Sequence, residues 1–228
     1  MQLARASMWL LAINVAMFVL AVAGGELLIR LFSEKRIADK PDPLQRNELL
    51  LAASCVLLNT LVGIAGWILW QHGWIDVRTG GGFHIAVDVF VLLVAMDFLM
   101  YVTHRLAHLP WVFPLIHATH HRYDRPRPLS LFVLNPAEAL GFGALWLLLL
   151  CAYSATWTGI IIYLALNLLF GTLGHLGVEP FPQSWANLPV LRHMGSSTFH
   201  ADHHGHPAQS YGFYTDIWDR LFRTLRRP

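Results

Sequence analysis

Nine of the 13 histidines in this 228-residue chain stand at spacings that bring imidazoles together. His104 and His108 form an HxxxH. His117, His120 and His121 form an HxxHH, and His200, His203 and His204 form a second; His175 stands alone between them. On a helix, positions i, i+3 and i+4 share one face with Cβ atoms about 5–6 Å apart, so each motif aims two or three imidazoles at one place. Eight or nine converging imidazoles exceed what one tetrahedral ion uses, and the arithmetic favours two metal ions. Imidazole suits zinc, copper, iron and nickel alike, so ligand type leaves the metal open. No HExxH is present, which counts against a zinc protease with a glutamate base. His72, His84, His193 and His206 read as polar residues outside the site.

The elements that must hold these residues are membrane helices. The chain is 55% hydrophobic and only 13% charged, too apolar for an ordinary soluble domain. Crossing the hydrocarbon takes about 20 apolar residues. Uncharged or nearly uncharged runs cover Met8–Gly25 (continuing to Leu31), Leu49–Gln71, Gly82–Thr103 and Ala139–Gly174. The last would be about 54 Å long as one helix. The polar, β-branched stretch Ser154–Gly159 divides it into a short hairpin. The expected fold is all-α: an integral membrane bundle of four to five helices with a helical, cytoplasmic, histidine-rich cap. A single domain over 1–228 is expected, with N-terminal membrane helices in 1–80 and a histidine-bearing core in 81–228.

Loop charges orient the bundle. Arg30–Arg46, Arg105–Arg127 and Arg192–Arg227 hold every Lys and Arg except Arg5 and Arg78, and alternation of the helices puts those three regions on one side. The positive-inside rule then places the N-terminus outside and the histidine motifs in the cytoplasm. Arg5, the apolar run Met8–Leu20 and Ala21-Val22-Ala23 have the outline of a signal peptide. Cleavage would strand the Arg30–Arg46 cluster on the outside, so an uncleaved anchor is expected. The preponderance of arginine over lysine suggests a bacterial source and hence the inner membrane. Cys55 and Cys151 lie in apolar stretches and read as small buried hydrophobes.

Asp97, Tyr101, His104 and His108 fall on one helical stripe. Acids inside a membrane usually face the bundle interior. Asp97 is therefore a candidate to orient an imidazole from a neighbouring helix, as are Glu138, Asp202 and Glu179. Asp88, on the opposite side of the helix, receives no role. Trp67, Trp70, Trp74, Trp111, Trp146 and Trp157 read as interfacial anchors.

Residue chemistry alone leaves three classes open: a dinuclear metal enzyme, a bis-histidine haem electron carrier, and a noncatalytic zinc-stabilised membrane protein. The order of the motifs is more specific, because from about Asp97 onward the chain resembles the fatty acid hydroxylase superfamily, which includes sterol desaturases. Asp97-Phe98, Tyr101, His104-Arg105 and His108 resemble its first histidine box. His117 with His120-His121 resembles the second. Asn135-Pro136-Ala137-Glu138 is similar to a His-Pro-x-Glu with asparagine in place of histidine. His175 sits in Gly-His-x-Gly-x-Glu, and Ser197-Thr198-Phe199-His200, His203-His204, Tyr211-Gly212 and Trp218–Thr224 resemble the C-terminal signature. Three positions depart from the pattern: Phe199 where histidine is frequent, Ser210 where asparagine is usual, and Arg223 where glycine is usual.

The resemblance implies that His104, His108, His117, His120, His121, His175, His200, His203 and His204 bind two iron ions, with zinc as a possible occupant after purification. It implies an O2-dependent hydroxylase or desaturase acting on a bilayer lipid. Electrons would come from an external donor of ferredoxin or cytochrome type. Nucleic acid is not among the expected partners.

Overall fold

A computed structural model describes residues 2–226 of the chain; Arg227, counted above among the basic residues of the tail, lies outside them. Four helices are long and apolar enough to span a membrane: α1 (Leu3–Leu31), α2 (Arg46–Gln71), α3 (Phe83–Ala107) and, later in the chain, α7 (Trp157–Gly174). Between α3 and α7 lie two single-turn helices, α4 (Phe113–Ile116) and α5 (Ala118–His121), and the shorter apolar α6 (Pro136–Ala152). Beyond α7 come α8 (Ser197–Gly205) and α9 (Ile217–Leu221). The protein is an integral membrane helical bundle, with α6 and α7 forming the expected hairpin.

Each boundary has a local cause. Asn135 caps α6, its side chain accepting from the Ala137 amide, and Pro136 fits the first turn, where an N–H is not needed. The hairpin turns at Tyr153–Thr156, and the Thr156 hydroxyl accepts from Gly159 N to start α7. Pro110 follows α3 closely and bars its continuation past His108.

Loops alternate between two faces. On one, Val77–Arg78 (β1) pairs in parallel with Ala155–Thr156 (β2), tying the α2–α3 connection to the hairpin tip. On the other, Ile37 N donates to Gly177 O and Glu179 N to Lys35 O, joining the α1–α2 loop to the chain after α7. Arg125 meets Asp42 at 2.8 Å and Arg127 approaches Glu48 at 3.4 Å, adding the Arg105–Arg127 region to that face. Burial inside the bundle centres on Leu92, Met96, Leu150, Ile160, Tyr163 and Tyr214. Leu20, Phe90, Leu148 and Ile161 point outward, as lipid-facing positions do in a bilayer, where apolar surface need not be buried in protein. Trp146 is no interfacial anchor: it stacks on Tyr163 at 4.7 Å within that interior. Cys55 is buried, whereas Cys151 is exposed on the bundle surface; both thiols are free.

Candidate metal centre

The histidines collect where α3, α5, α7 and α8 end or begin on one face. His104 lies in the last turn of α3 and His108 caps it. His117 caps α5, which carries His120 and His121; His175 caps α7; α8 carries His200, His203 and His204. The start of α8 is pinned from three directions. Ser196 accepts from Phe199 N, Ser197 donates to Leu173 O, and the Glu179 carboxylate accepts from Thr198 N and Oγ1. Glu179 thus acts on the helix that carries three imidazoles rather than on an imidazole itself.

All nine imidazoles named from the sequence converge, in two groups. His104, His108, His117, His121 and His203 form one; His120, His175, His200 and His204 form the other. Within each group the candidate ligand atoms lie within 4.8 Å of one another. The partition corrects the expectation that an HxxHH aims all its members at one place. In the first motif the i and i+4 residues, His117 and His121, join the five-membered group while His120 turns to the other. In the second the roles are exchanged: His200 and His204 go to the four-membered group and His203 crosses over.

Outer contacts fix the direction of several rings. Nδ1–H of His104 donates to Tyr211 O at 2.8 Å, that of His203 to Gln209 O at 2.8 Å, and that of His175 to Gly171 O at 2.7 Å. His117 Nδ1 meets Glu138 Oε1 at 2.6 Å in a fully buried contact. With the proton on Nδ1, each Nε2 carries a bare lone pair into its group. His104 Nε2 and His117 Nε2 then face each other at 3.0 Å, with no proton to share. The buried Nε2 of His203 has no hydrogen-bond partner among the described residues. Converging lone pairs repel unless a cation lies among them, so this donor set fits metal ions.

Burial acts in the same sense. Desolvation, with neighbouring imidazoles second, pulls His108 down to about 2 and His117 lower still. Burial chiefly holds His121, His175 and His203 down at about 4. The rings are therefore neutral near pH 7, the state in which imidazole binds a metal.

Two proposed orienting acids touch no imidazole of either group. The Asp97 carboxylate accepts from Tyr214 N, Thr215 N, Thr215 Oγ1 and Trp218 Nε1, and so clamps the C-terminal segment onto α3. It shares a helical stripe with His104, but its partners lie in the C-terminal segment, and it holds no imidazole of a neighbouring helix, the role expected of it. Asp202, half-exposed on the outer side of α8, pairs with Arg226 and His206. Of the remaining histidines, His193 pairs with Asp216 at 2.9 Å, apart from both groups.

Sequence reasoning missed Asp219. It is fully buried, and its carboxylate accepts from Tyr211 N, Gly212 N and Thr224 Oγ1. It thereby shapes the 209–212 loop whose carbonyls orient His203 and His104. Only the Trp218–Thr224 signature hinted at it. In the same region Ser210 and Arg223 adopt positive φ, 61° and 58°. The asparagine and glycine usual at these positions are the residues that tolerate this conformation best.

Comparison with known proteins agrees with this architecture. Residues 89–224 match the fatty acid hydroxylase family model. The chain is 27% identical over 208 residues to a Delta(7)-sterol 5(6)-desaturase of Candida dubliniensis, covering 86% of this chain and 51% of the relative. It is 30% identical over 153 residues to lathosterol oxidase of Mus musculus, covering 65% and 48%. A cholesterol 25-hydroxylase-like protein of Danio rerio is 28% identical over 149 residues, covering 64% and 58%. The chain thus spans about half the length of the curated relatives it matches. No solved structure matches it. With the family model covering well over half of its length and both HxxHH motifs, the chain belongs to the fatty acid hydroxylase family.

Proposed function

We propose that this protein is a membrane oxidoreductase that holds two iron ions, one in each histidine group, and uses O2 and an external electron donor to hydroxylate or desaturate a bilayer lipid. The observation that carries the reading is the pair of converging imidazole groups, in which Nδ1 contacts leave the Nε2 atoms of His104, His117, His175 and His203 unprotonated. The relatives support the reaction class, since their names include a desaturase, an oxidase and a hydroxylase-like protein. Bound iron would supply the oxidising power for an unactivated C–H bond.

The chain's own contribution is positioning. Gly171, Gln209 and Tyr211 carbonyls set the tautomer of three imidazoles, and Glu138 sets that of His117 and raises its basicity as a ligand. The buried setting of His117, His120, His175 and His203 limits water near a reactive oxidant. Facing imidazoles at 3.0–3.3 Å leave no slot between them for a haem macrocycle. The basic regions on the histidine face support a cytoplasmic orientation under the positive-inside rule, in which a ferredoxin or cytochrome donor would reach the site; in a bacterium the membrane would be the inner one.

The test combines metal analysis after iron-supplemented expression with lipid mass spectrometry of cells carrying the active or the His203→Ala chain. The expected result is iron in the purified protein and a lipid gaining one oxygen or losing two hydrogens only with the active chain. An intense Soret band, or tightly held zinc with no iron and no O2 consumption, overturns the proposal.

A further inference from the structure

The Tyr211 carbonyl orients His104, but the phenol ring of the same residue stands against three imidazoles of the five-membered group. Its centroid lies 5.8 Å from His104, 5.3 Å from His108 and 5.8 Å from His203. Behind it, at 6.4 Å, lies the ring of Tyr101, which is 1% exposed. Tyr101 in turn stacks on Phe222 at 5.5 Å, and Phe222 is 45% exposed. A row of rings thus runs from the imidazoles to the protein surface.

The Tyr101 hydroxyl also has a route for its proton. Thr224 Oγ1 donates its one proton to Asp219 Oδ1 at 2.6 Å, so in the 3.0 Å contact between the two hydroxyls Tyr101 is the donor. Burial raises the Asp219 carboxyl above its ordinary value, which readies it to take a proton. A phenol that loses an electron becomes a strongly acidic cation, and a buried cation is costly. Oxidation is therefore easiest at a tyrosine whose proton has an acceptor. Other tyrosines lack one of the two conditions. Tyr163 and Tyr214 share a hydrogen bond that ends on the Asn167 amide oxygen, a poor base. Tyr153 donates to a carboxylate, Asp88, but at the end of α3 remote from the histidines.

We propose that Tyr101 is a redox-active residue that drains single oxidising equivalents from the five-membered group through Tyr211, with Thr224 and Asp219 taking up its proton. The inference rests on the oxidative reading above, which supplies a strong one-electron oxidant formed from O2 at the iron site and not spent on a lipid. In the step, Tyr101 gives one electron through the Tyr211 ring to that oxidant, which is reduced by one. The phenol O–H bond breaks, its proton passes to Thr224 Oγ1, and Thr224 passes its own proton to the Asp219 carboxylate. Tyr101 is left as a neutral phenoxyl radical, Thr224 as an alcohol and Asp219 as a neutral acid. One electron from the external donor, entering at Phe222, then restores the phenol as both protons return. The benefit is that the imidazoles are spared oxidation whenever lipid is absent.

The test uses the full iron-loaded chain in detergent, mixed with hydrogen peroxide and frozen for electron paramagnetic resonance. Expected is a phenoxyl signal that narrows with ring-deuterated tyrosine and is lost in Tyr101→Phe, at unchanged iron content. Tyr101→Phe should also accumulate oxidised histidine in peptides spanning 104–121 several times faster than the parent chain. A signal that persists in Tyr101→Phe, no signal while peroxide is consumed, or equal histidine damage in the two chains overturns the proposal. Where Tyr101→Phe loses iron, Thr224→Val and Thr224→Ser decide. Loss of the signal with valine and its retention with serine support the relay, and the same signal in both refutes it. Lipid oxidation without a Tyr101 radical sinks the relay and keeps the oxidative reading. A chain that neither oxidises lipid nor consumes peroxide sinks that reading, and the relay falls with it.

Discussion

The two ends of α3 present the same problem, polar groups at the edge of a membrane bundle, and solve it in opposite ways. Near its start Asp88 is fully buried, yet every demand of its carboxylate is met by protein. It pairs with Arg78 and accepts from the Tyr153 hydroxyl and the Thr156 amide, each of the latter at 2.8 Å. Gly159 allows this closeness, because a Cβ there would lie 2.7 Å from Asp88 Cβ. At its other end His104 meets further imidazoles, and its Nε2 faces that of His117 with neither carrying a proton. A self-satisfied ion pair ties elements together; an unsatisfied donor set waits for a cation. Burial of a polar group therefore does not mark a functional site. What marks it is burial without a partner.

Breaking the histidine end has the largest expected effect. His203→Ala removes one ligand of the five-membered group and should abolish lipid oxidation and lower metal content, while the chain still inserts in the membrane; full turnover would refute the assignment. Acid should act on the same end. His121, His175 and His203 have folded values near 4, below the usual histidine value of 6.5. Between those values the unfolded chain binds more protons than the folded one, so their contribution to stability is complete above about pH 6.5 and is lost as pH falls toward 4. Thermal melts of metal-free protein should show a falling Tm across that window, and a flat profile would contradict it.

A subtler break is Glu138→Gln, which keeps the shape but weakens the hold on His117. Metal affinity should fall about 10–100-fold, read by competition with a chelator. At the other end Arg78→Ala leaves Asp88 buried without its cation. The expected cost is about 2 kcal/mol, below that of a fully buried pair because a third of the Arg78 side chain is exposed. Metal content should be unchanged, and a loss of metal would show that the two ends are coupled. The smallest effect concerns the loop behind the histidines. Arg223→Gly relieves a positive φ and should raise stability by about 0.5–1 kcal/mol in denaturant titrations.

Much of the fold and of the site was legible because it is local. Apolar runs of spanning length are set by the bilayer, and the break at Ser154–Gly159 is set by turn chemistry, so α1, α2, α3 and the hairpin fall near their expected positions. The fate of the acids was not local. Asp97 shares a stripe with His104, yet it serves amides more than a hundred residues away. Asp88, which had no evident role, closes the opposite face through residues 65 and 68 positions distant.

By itself, then, the sequence determined that this is a histidine-rich membrane bundle whose eight boxed imidazoles should meet, because helical spacing leaves them little choice, with the lone His175 added by the family resemblance. Only the tertiary structure decided how they divide, five and four, with each HxxHH split between the groups. The reason is that ring direction is set by what holds Nδ1. Those partners include Tyr211 O, 107 residues from His104, and Glu138, 21 residues from His117. Such contacts exist only after the C-terminal loop and α6 have packed against the ends of the helices.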